Sequence, residues 1–315
     1  MGELTAEEQD HRSACVLGAG EILWDQLPGG ATIGGAPFNV VSHLARLGYR
    51  TGYLTAVGRD ADGDAALAEM RSRGIDASLA GTVDGIATGR AVVSLDPGGS
   101  PEFDIVRPAA FEWLMAAEEE FRWIYTERPA AFVFGTLALL RPPARAAVAD
   151  VVRSSPAAIR LYDVNLRPGW WTPETVTELI QLATVVKFSE AEARELAPAF
   201  GVSWDGPEAF SRDLAVSARL RGVAVTSGSA SSALWLDGGY SRQVPPAISV
   251  ADAVGAGDAF AAGLLDAIMA GLPAAGALRR ANALGSIVAS RPGAQPHWTP
   301  AELANLEGTL GQADG

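Results

Sequence analysis

From about residue 14 to residue 300 the chain alternates short, mostly apolar runs with amphipathic stretches. The first apolar run, "CVLGAGEILWD", predicts a strand that starts at Cys15–Leu17 and continues through "GEILWD". In "NVVSHLARLG", Val40, Leu44 and Leu47 recur at helical spacing and share one face. "YRTGYLTAVG" reads as the next strand, and "DADGDAALAEMRSRG" as a helix that stops at Gly74. Further on, the strand-like runs "AAFVFG", "IRLYDVN", "TVVKFS" and "GVAVTSG" are separated by the helical "PPARAAVADVVRSS", "TPETVTELIQLA" and "EAEARELAPAFG". Such alternation predicts an α/β fold: a mostly parallel sheet with helices on both faces.

Two segments break the alternation. Residues near 24–33, and a hairpin-like stretch within 85–107 that turns at Pro97–Gly98–Gly99, are β in character and do not fit the strand–helix alternation. They are expected to form a small separate sheet. "SALWLDGGYSRQV" reads as a β pair, and "AAGALRRANALGSIVAS" as part of the last helical region. With no linker, repeat or low-complexity tract, one domain is expected over 13–308, with frayed tails at 1–12 and 309–315.

The chain has 315 residues, 48% of them hydrophobic and 19% charged, enough to bury a large core. A net charge of −13 argues against nucleic acid and anionic membrane as partners. Cys15 is the single cysteine, so no internal disulfide forms, a cytoplasmic location is expected, and the residue reads as a buried strand position. The polar, acidic start is unlike a signal peptide, and no apolar run reaches membrane-spanning length. Three scattered histidines and one cysteine give no zinc-ligand spacing. Lys187 is the single lysine; it precedes Phe188 and follows no glycine, which excludes a Walker-type phosphate loop.

The stretch with most chemical content is "DAVGAGDAF" at 252–260, a glycine turn leading into an apolar helix. A turn and an acid in a first helical turn explain it without function. Alternatively, the amides of Gly255, Ala256 and Gly257 meet a phosphate at a helix start. A carboxylate repels phosphate, so Asp258 belongs there if it takes a proton from a nucleophile attacking that phosphate. Ligands of open parallel sheets bind beyond the carboxyl ends of strands, and polar clusters fall there: Asp25; Gly34, Gly35 and Asn39; Asp60 and Gly63; Asp163, Asn165 and Arg167; Lys187, Ser189 and Glu192; Thr226 and Gly228. Separately, Asn39 reads as a helix cap, Asp60 and Gly63 as a turn, Ser189 and Glu192 as a capping box. Together they suit a polyhydroxylated ligand, since carboxylates and amides pair with hydroxyls.

"DAVGAGDAF", preceded in the chain by "GGAPFNVVSHLARLG", resembles the two signatures of the ribokinase-like carbohydrate kinases, the PfkB family. "GEILWD", "VGRDADG", "DVNLRPGWW", "KFSEAE", "VTSG" and "NALGSIVASRPGAQP" follow the family order, so the resemblance spans about 14–300. It implies a three-layer α/β/α fold with a small β-sheet lid, and phosphoryl transfer from ATP, with Mg2+, to a sugar hydroxyl. It also implies roles: Asp258 as base; Gly255, Ala256 and Gly257 as the anion hole; Asp25, Gly34, Gly35, Asn39, Arg107 and Arg167 at the sugar. Lys187, Thr226, Gly228, Gly257 and Asn282 fall to the nucleotide. Glu192 falls to Mg2+ through water, and Asp252 with "SRPGA" to a monovalent cation such as K+. A homodimer formed through the lid fits the same picture. Two positions depart from the family pattern: Ala253 replaces the usual Thr, and Ser189 the usual Asn.

"DVNLRPGWW" is similar to the corresponding stretch of fructokinases and 2-keto-3-deoxygluconate kinases. Asp25 and Asn39 suit neutral hydroxyls, which favours fructose over the acid sugar. A non-catalytic sugar-binding paralogue is the reading from another class, and the presence of Asp258 with both glycines argues against it. A dinucleotide-binding oxidoreductase is excluded because Leu23 stands where G-x-G-x-x-G needs its last glycine.

Overall fold

The computed structural model describes residues 14–27, 30–95 and 101–313. In chain order the strands are β1 (Cys15–Ala19), β2 (Leu23–Leu27), β3 (Gly30–Gly34), β4 (Arg50–Gly58), β5 (Ile75–Asp76), β6 (Ala80–Val83) and β7 (Gly89–Leu95). They continue with β8 (Pro101–Ile105), β9 (Ala131–Gly135), β10 (Ile159–Asp163), β11 (Val185–Ser189), β12 (Gly222–Thr226), β13 (Ser232–Leu236) and β14 (Gly239–Gln243). The large sheet runs β14-β13-β12-β11-β10-β9-β1-β4-β5, with β6 also paired to β4. From β12 across to β4 all pairings are parallel, while β12–β13 and β13–β14 are antiparallel.

The central strands are mostly apolar because both faces are covered. Leu17, Phe132, Phe134 and Tyr162 point into one core; Val16, Val133 and Leu161 point into the other. The Pro142–Ser154, Pro173–Ile180 and Pro207–Ala218 helices cover the first face. The Ala36–Leu47, Ala256–Met269 and Ala274–Ala289 helices cover the second. Cys15 is buried in β1 as expected.

The two irregular segments form a separate four-stranded sheet of order β3-β2-β7-β8. The turn expected at Pro97–Gly98–Gly99 and the tail expected at 1–12 lie outside the described residues. Two boundaries differ from the sequence reading. The first apolar run is two strands in two sheets, because the backbone leaves the large sheet after Gly20, whose N–H still reaches Leu54 O at 3.1 Å. The Glu21 carbonyl then accepts from the Tyr53 hydroxyl at 2.7 Å instead of joining the ladder. Both strands are buried, so the apolar run shows no break. The last helix, Pro300–Ala313, also continues past residue 308, where a tail was expected; Leu303 buries on the second core and Leu306 and Leu310 pack against it.

Candidate active site

At the carboxyl ends of β1, β9 and β10, beneath the small sheet, lies a cavity of about 260 Å³. Asp25, Gly35, Asn39, Arg167, Lys187, Gly255, Gly257 and Asp258 all line it. Residues spread over more than two hundred positions are thus brought together by strand ends and helix starts.

The Ala256–Met269 helix supplies its floor. Gly255 is the N-cap, at φ 77°. A Cβ there would lie 2.4 Å from Ala294 Cα, so glycine is required twice, by backbone angle and by close approach. Asp258 sits in the first turn, half-buried. The first N–H groups of a helix have no partner within it and carry partial positive charge. Gly255 and Gly257 face the cavity, whereas the expected third member, Ala256, does not line it and its N–H turns back to Ala253 O at 3.3 Å.

Asn39 is not the cap of its helix; Gly35 is. Instead, Asn39 Nδ2 donates to Asp258 Oδ2 at 2.7 Å, and its Oδ1 accepts from Gln295 Nε2 at 2.5 Å. Burial and the neighbouring Asp163 carboxylate push the Asp258 carboxyl up to about 7, against the Asn39 hydrogen bond and the charges of Lys187 and Arg167.

The small sheet supplies the roof. Register aligns Thr32, Asp25, Ala91 and Ile105 across its four strands, and the last three face the cavity. A Cβ on Gly34 would lie 2.3 Å from Asp25 Oδ2, so Gly34 makes room for that carboxylate rather than lining the cavity itself. Burial raises the Asp25 carboxyl to about 6, against the Arg167 charge.

Behind Asp258, Lys187 Nζ rests on both Asp163 oxygens, at 2.9 and 3.0 Å. Burial works against the Lys187 charge, and the Asp163 carboxylate outweighs it and keeps the lysine protonated. Arg167 donates to Asn165 Oδ1 at 2.8 Å and to Leu166 O at 3.1 Å while lining the cavity.

Other expected residues stand apart. Arg107 does not reach the cavity: it pairs with Glu112 at 2.6 Å and stacks on Trp170, 3.9 Å from the ring centre. Ser189 and Glu192 form the expected capping box, and the other Glu192 oxygen accepts from Leu166 N–H at 2.7 Å. Asp252 accepts from Val254 and Gly293 N–H, both at 2.9 Å, which ties the helix approach to the "SRPGA" loop. Thr226 and Gly228 lie at the end of β12, outside the cavity. Asn282 is buried, its Oδ1 accepting from Ser232. Asp60 caps its helix, accepting from Gly63 N–H at 2.8 Å.

Sequence reasoning missed Glu21. It lines the cavity, only 3% exposed, with Oε1 accepting from Ala36 N–H at 3.0 Å. Burial pushes its carboxyl to about 7. Its one signal was an acid inside an apolar run.

Among the described residues no cluster of three or more His, Cys, Asp or Glu forms a metal cage. Mg2+ in phosphoryl transfer needs no such cage, being held by one or two carboxylates together with the substrate phosphates. Each Glu192 oxygen accepts one backbone N–H and retains a lone pair for a metal-bound water.

Known proteins give the same picture. The model of the pfkB family carbohydrate kinases matches residues 21–301. Fructokinase-1 of Oryza sativa subsp. japonica is 30% identical over 324 aligned positions, covering 94% of this chain and 98% of that protein. A fructokinase from Xylella fastidiosa, solved with bound ATP, superposes with a TM-score of 0.81 at 22% identity, covering 94% and 99% of the two chains. A fructokinase from Vibrio cholerae O395, solved with fructose, ADP and calcium, gives 0.78 at 24%, covering 94% and 99%. These two superpositions establish the ribokinase-like α/β fold.

Proposed function

The chain belongs to the pfkB family of carbohydrate kinases, and we propose that the sugar it phosphorylates with ATP is fructose, with Asp258 as general base. The observation that carries this reading is the place of Asp258: in the first turn of the helix whose Gly255 and Gly257 line the cavity, bonded to Asn39, with its carboxyl raised to about 7. A base whose pKa is near the working pH is both available and strong enough to accept a hydroxyl proton.

In this mechanism the sugar lies under the small sheet, its hydroxyls on Asp25, Asn39 and Gly35. Asp258 takes the proton of the attacking hydroxyl. The Gly255 and Gly257 amides, with the helix dipole, neutralise charge that develops on the transferring phosphoryl. Lys187 adds a positive charge below, and Thr226, Gly228 and Asn282 belong to the nucleotide side. Mg2+, ordered through water by Glu192, would neutralise phosphate charge. Asp252 and the "SRPGA" loop are assigned to a monovalent cation such as K+. The small sheet acts as a lid that keeps out water, the competing acceptor.

Fructose is favoured by three carboxyls on the cavity, Glu21, Asp25 and Asp258, which pair with hydroxyls and repel an anionic sugar. The 30% identity to a fructokinase supports it further. Arg167, on the same cavity, favours 2-keto-3-deoxygluconate as a second reading, since arginine matches a carboxylate with two parallel hydrogen bonds. The test is kcat/KM for both sugars in wild type and Arg167→Ala. Fructose is expected to be preferred by the wild type. A wild-type preference for the acid, lost in Arg167→Ala, would overturn the assignment.

A further inference from the structure

The amide of Gln295 touches neither the base nor the cavity, yet its orientation is dictated from there. An ionised carboxylate only accepts hydrogen bonds, so the Asn39 atom 2.7 Å from Asp258 Oδ2 must be its NH2 group. Asn39 Oδ1 therefore faces the other way, onto Gln295. The Gln295 atom 2.5 Å from it must in turn be the NH2 group. Gln295 Oε1 is then left buried without a hydrogen-bond partner, an unfavourable arrangement. Turning the amide over would bring two carbonyl oxygens together at Asn39. The bond to Asn39 is what holds the amide as it stands.

The loop that carries Gln295 is pinned by the same helix. Trp298 Nε1 donates to His43 Nδ1 at 3.1 Å, so the His43 proton sits on Nε2, which faces Ala294 O at 3.2 Å. Burial and the Arg46 charge push His43 down to about 4, so the ring stays neutral in that tautomer near neutral pH. His43 is four residues beyond Asn39, on the same helix face.

We infer that Gln295 is a positioning residue for Asp258: by donating to Asn39 Oδ1, it fixes Asn39 with its NH2 group toward the carboxylate. One Asn39 hydrogen serves Asp258 and the other is left to donate. Asn39 therefore meets an acceptor oxygen on the sugar.

The inference rests on Asp258 as base, and the test separates the two. The groups facing Asp258 are Asp163 and Lys187 from the ends of β10 and β11, Arg167 from the loop after β10, and Glu21 and Asp25 across the cavity. Tyr53 on β4 also feels its charge. None of them is altered by substituting Gln295. Gln295→Leu removes the donor; Gln295→Glu presents an acceptor and turns the Asn39 carbonyl onto Asp258. The Asp258 carboxyl is titrated by 13C NMR, alongside the pH profile of kcat. Both midpoints are expected to rise, more in Gln295→Glu than in Gln295→Leu. At pH 7, kcat is expected to fall by about tenfold in Gln295→Leu and to recover as pH is raised, the scale of one lost hydrogen bond. An NMR midpoint that moves without the kcat limb supports the positioning role and removes Asp258 as base. Unchanged midpoints in both variants, with kcat falling only as thermal stability falls, would overturn the inference.

Discussion

Glu21, Asp25 and Asp258 set three carboxyls on one cavity, and burial raises all three, to about 7, 6 and 7. The folded state therefore holds their protons to higher pH than the unfolded chain, whose values are near 4.5 and 3.8. Their contribution to stability is complete below the unfolded values and is lost as pH rises through 6 to 7. His43 works in the opposite sense, but only between about 4 and 6.5. Asp258→Asn removes the need to hold a buried charge. It is expected to melt at a higher temperature than wild type at pH 8, with the gain disappearing at pH 5. Thermal melts at the two pH values check this, and an equal difference at both would contradict it. Among single residues, Asp258 and Asn39 line the cavity and sit at fixed places in glycine signatures, while Asp25 lines it from the end of an apolar run. Glu21 was not legible, since an acid where the chain crosses between sheets has no local pattern. Arg107 was misplaced for the same reason: sequence order cannot tell whether an arginine at a strand end turns toward the cavity or onto a tryptophan.

Periodicity read the elements well where a strand or helix has a free boundary. The parallel strands, the β13–β14 pair and the composition of the small sheet all follow from it. It failed at the β1–β2 crossing, where two buried strands share one apolar run, and at the end of the Pro300–Ala313 helix, which continues past residue 308. The small sheet also has an outer face. Strand alternation turns Ala91 and Ile105 inward and Val92 and Val106 outward, where they are 48% and 49% exposed. Exposed valines set among Arg90 and Asp104 on a sheet with two edge strands suit pairing with a second copy, and we propose a homodimer through this face. Val92→Asp with Val106→Asp should convert a dimer into a monomer. Solution scattering that finds the wild type monomeric at micromolar concentration would contradict the proposal.

Across the whole molecule, the sheet gathers the acids, amides and helix starts that the sequence scatters, because parallel strands end on one side. The family order of motifs made the fold and the reaction readable in advance. The sugar was less readable, since the cavity lined by Asp25, Glu21 and Arg167 takes its shape from how the two sheets meet. Transfer to a sugar hydroxyl is proposed to run through Asp258 as the base. The most direct test is the kcat of fructose phosphorylation by Asp258→Asn, measured together with its fructose affinity. A fall in kcat of about 10²–10⁴-fold or more is expected, with fructose still bound. A variant that turns over fructose at the wild-type rate would contradict it.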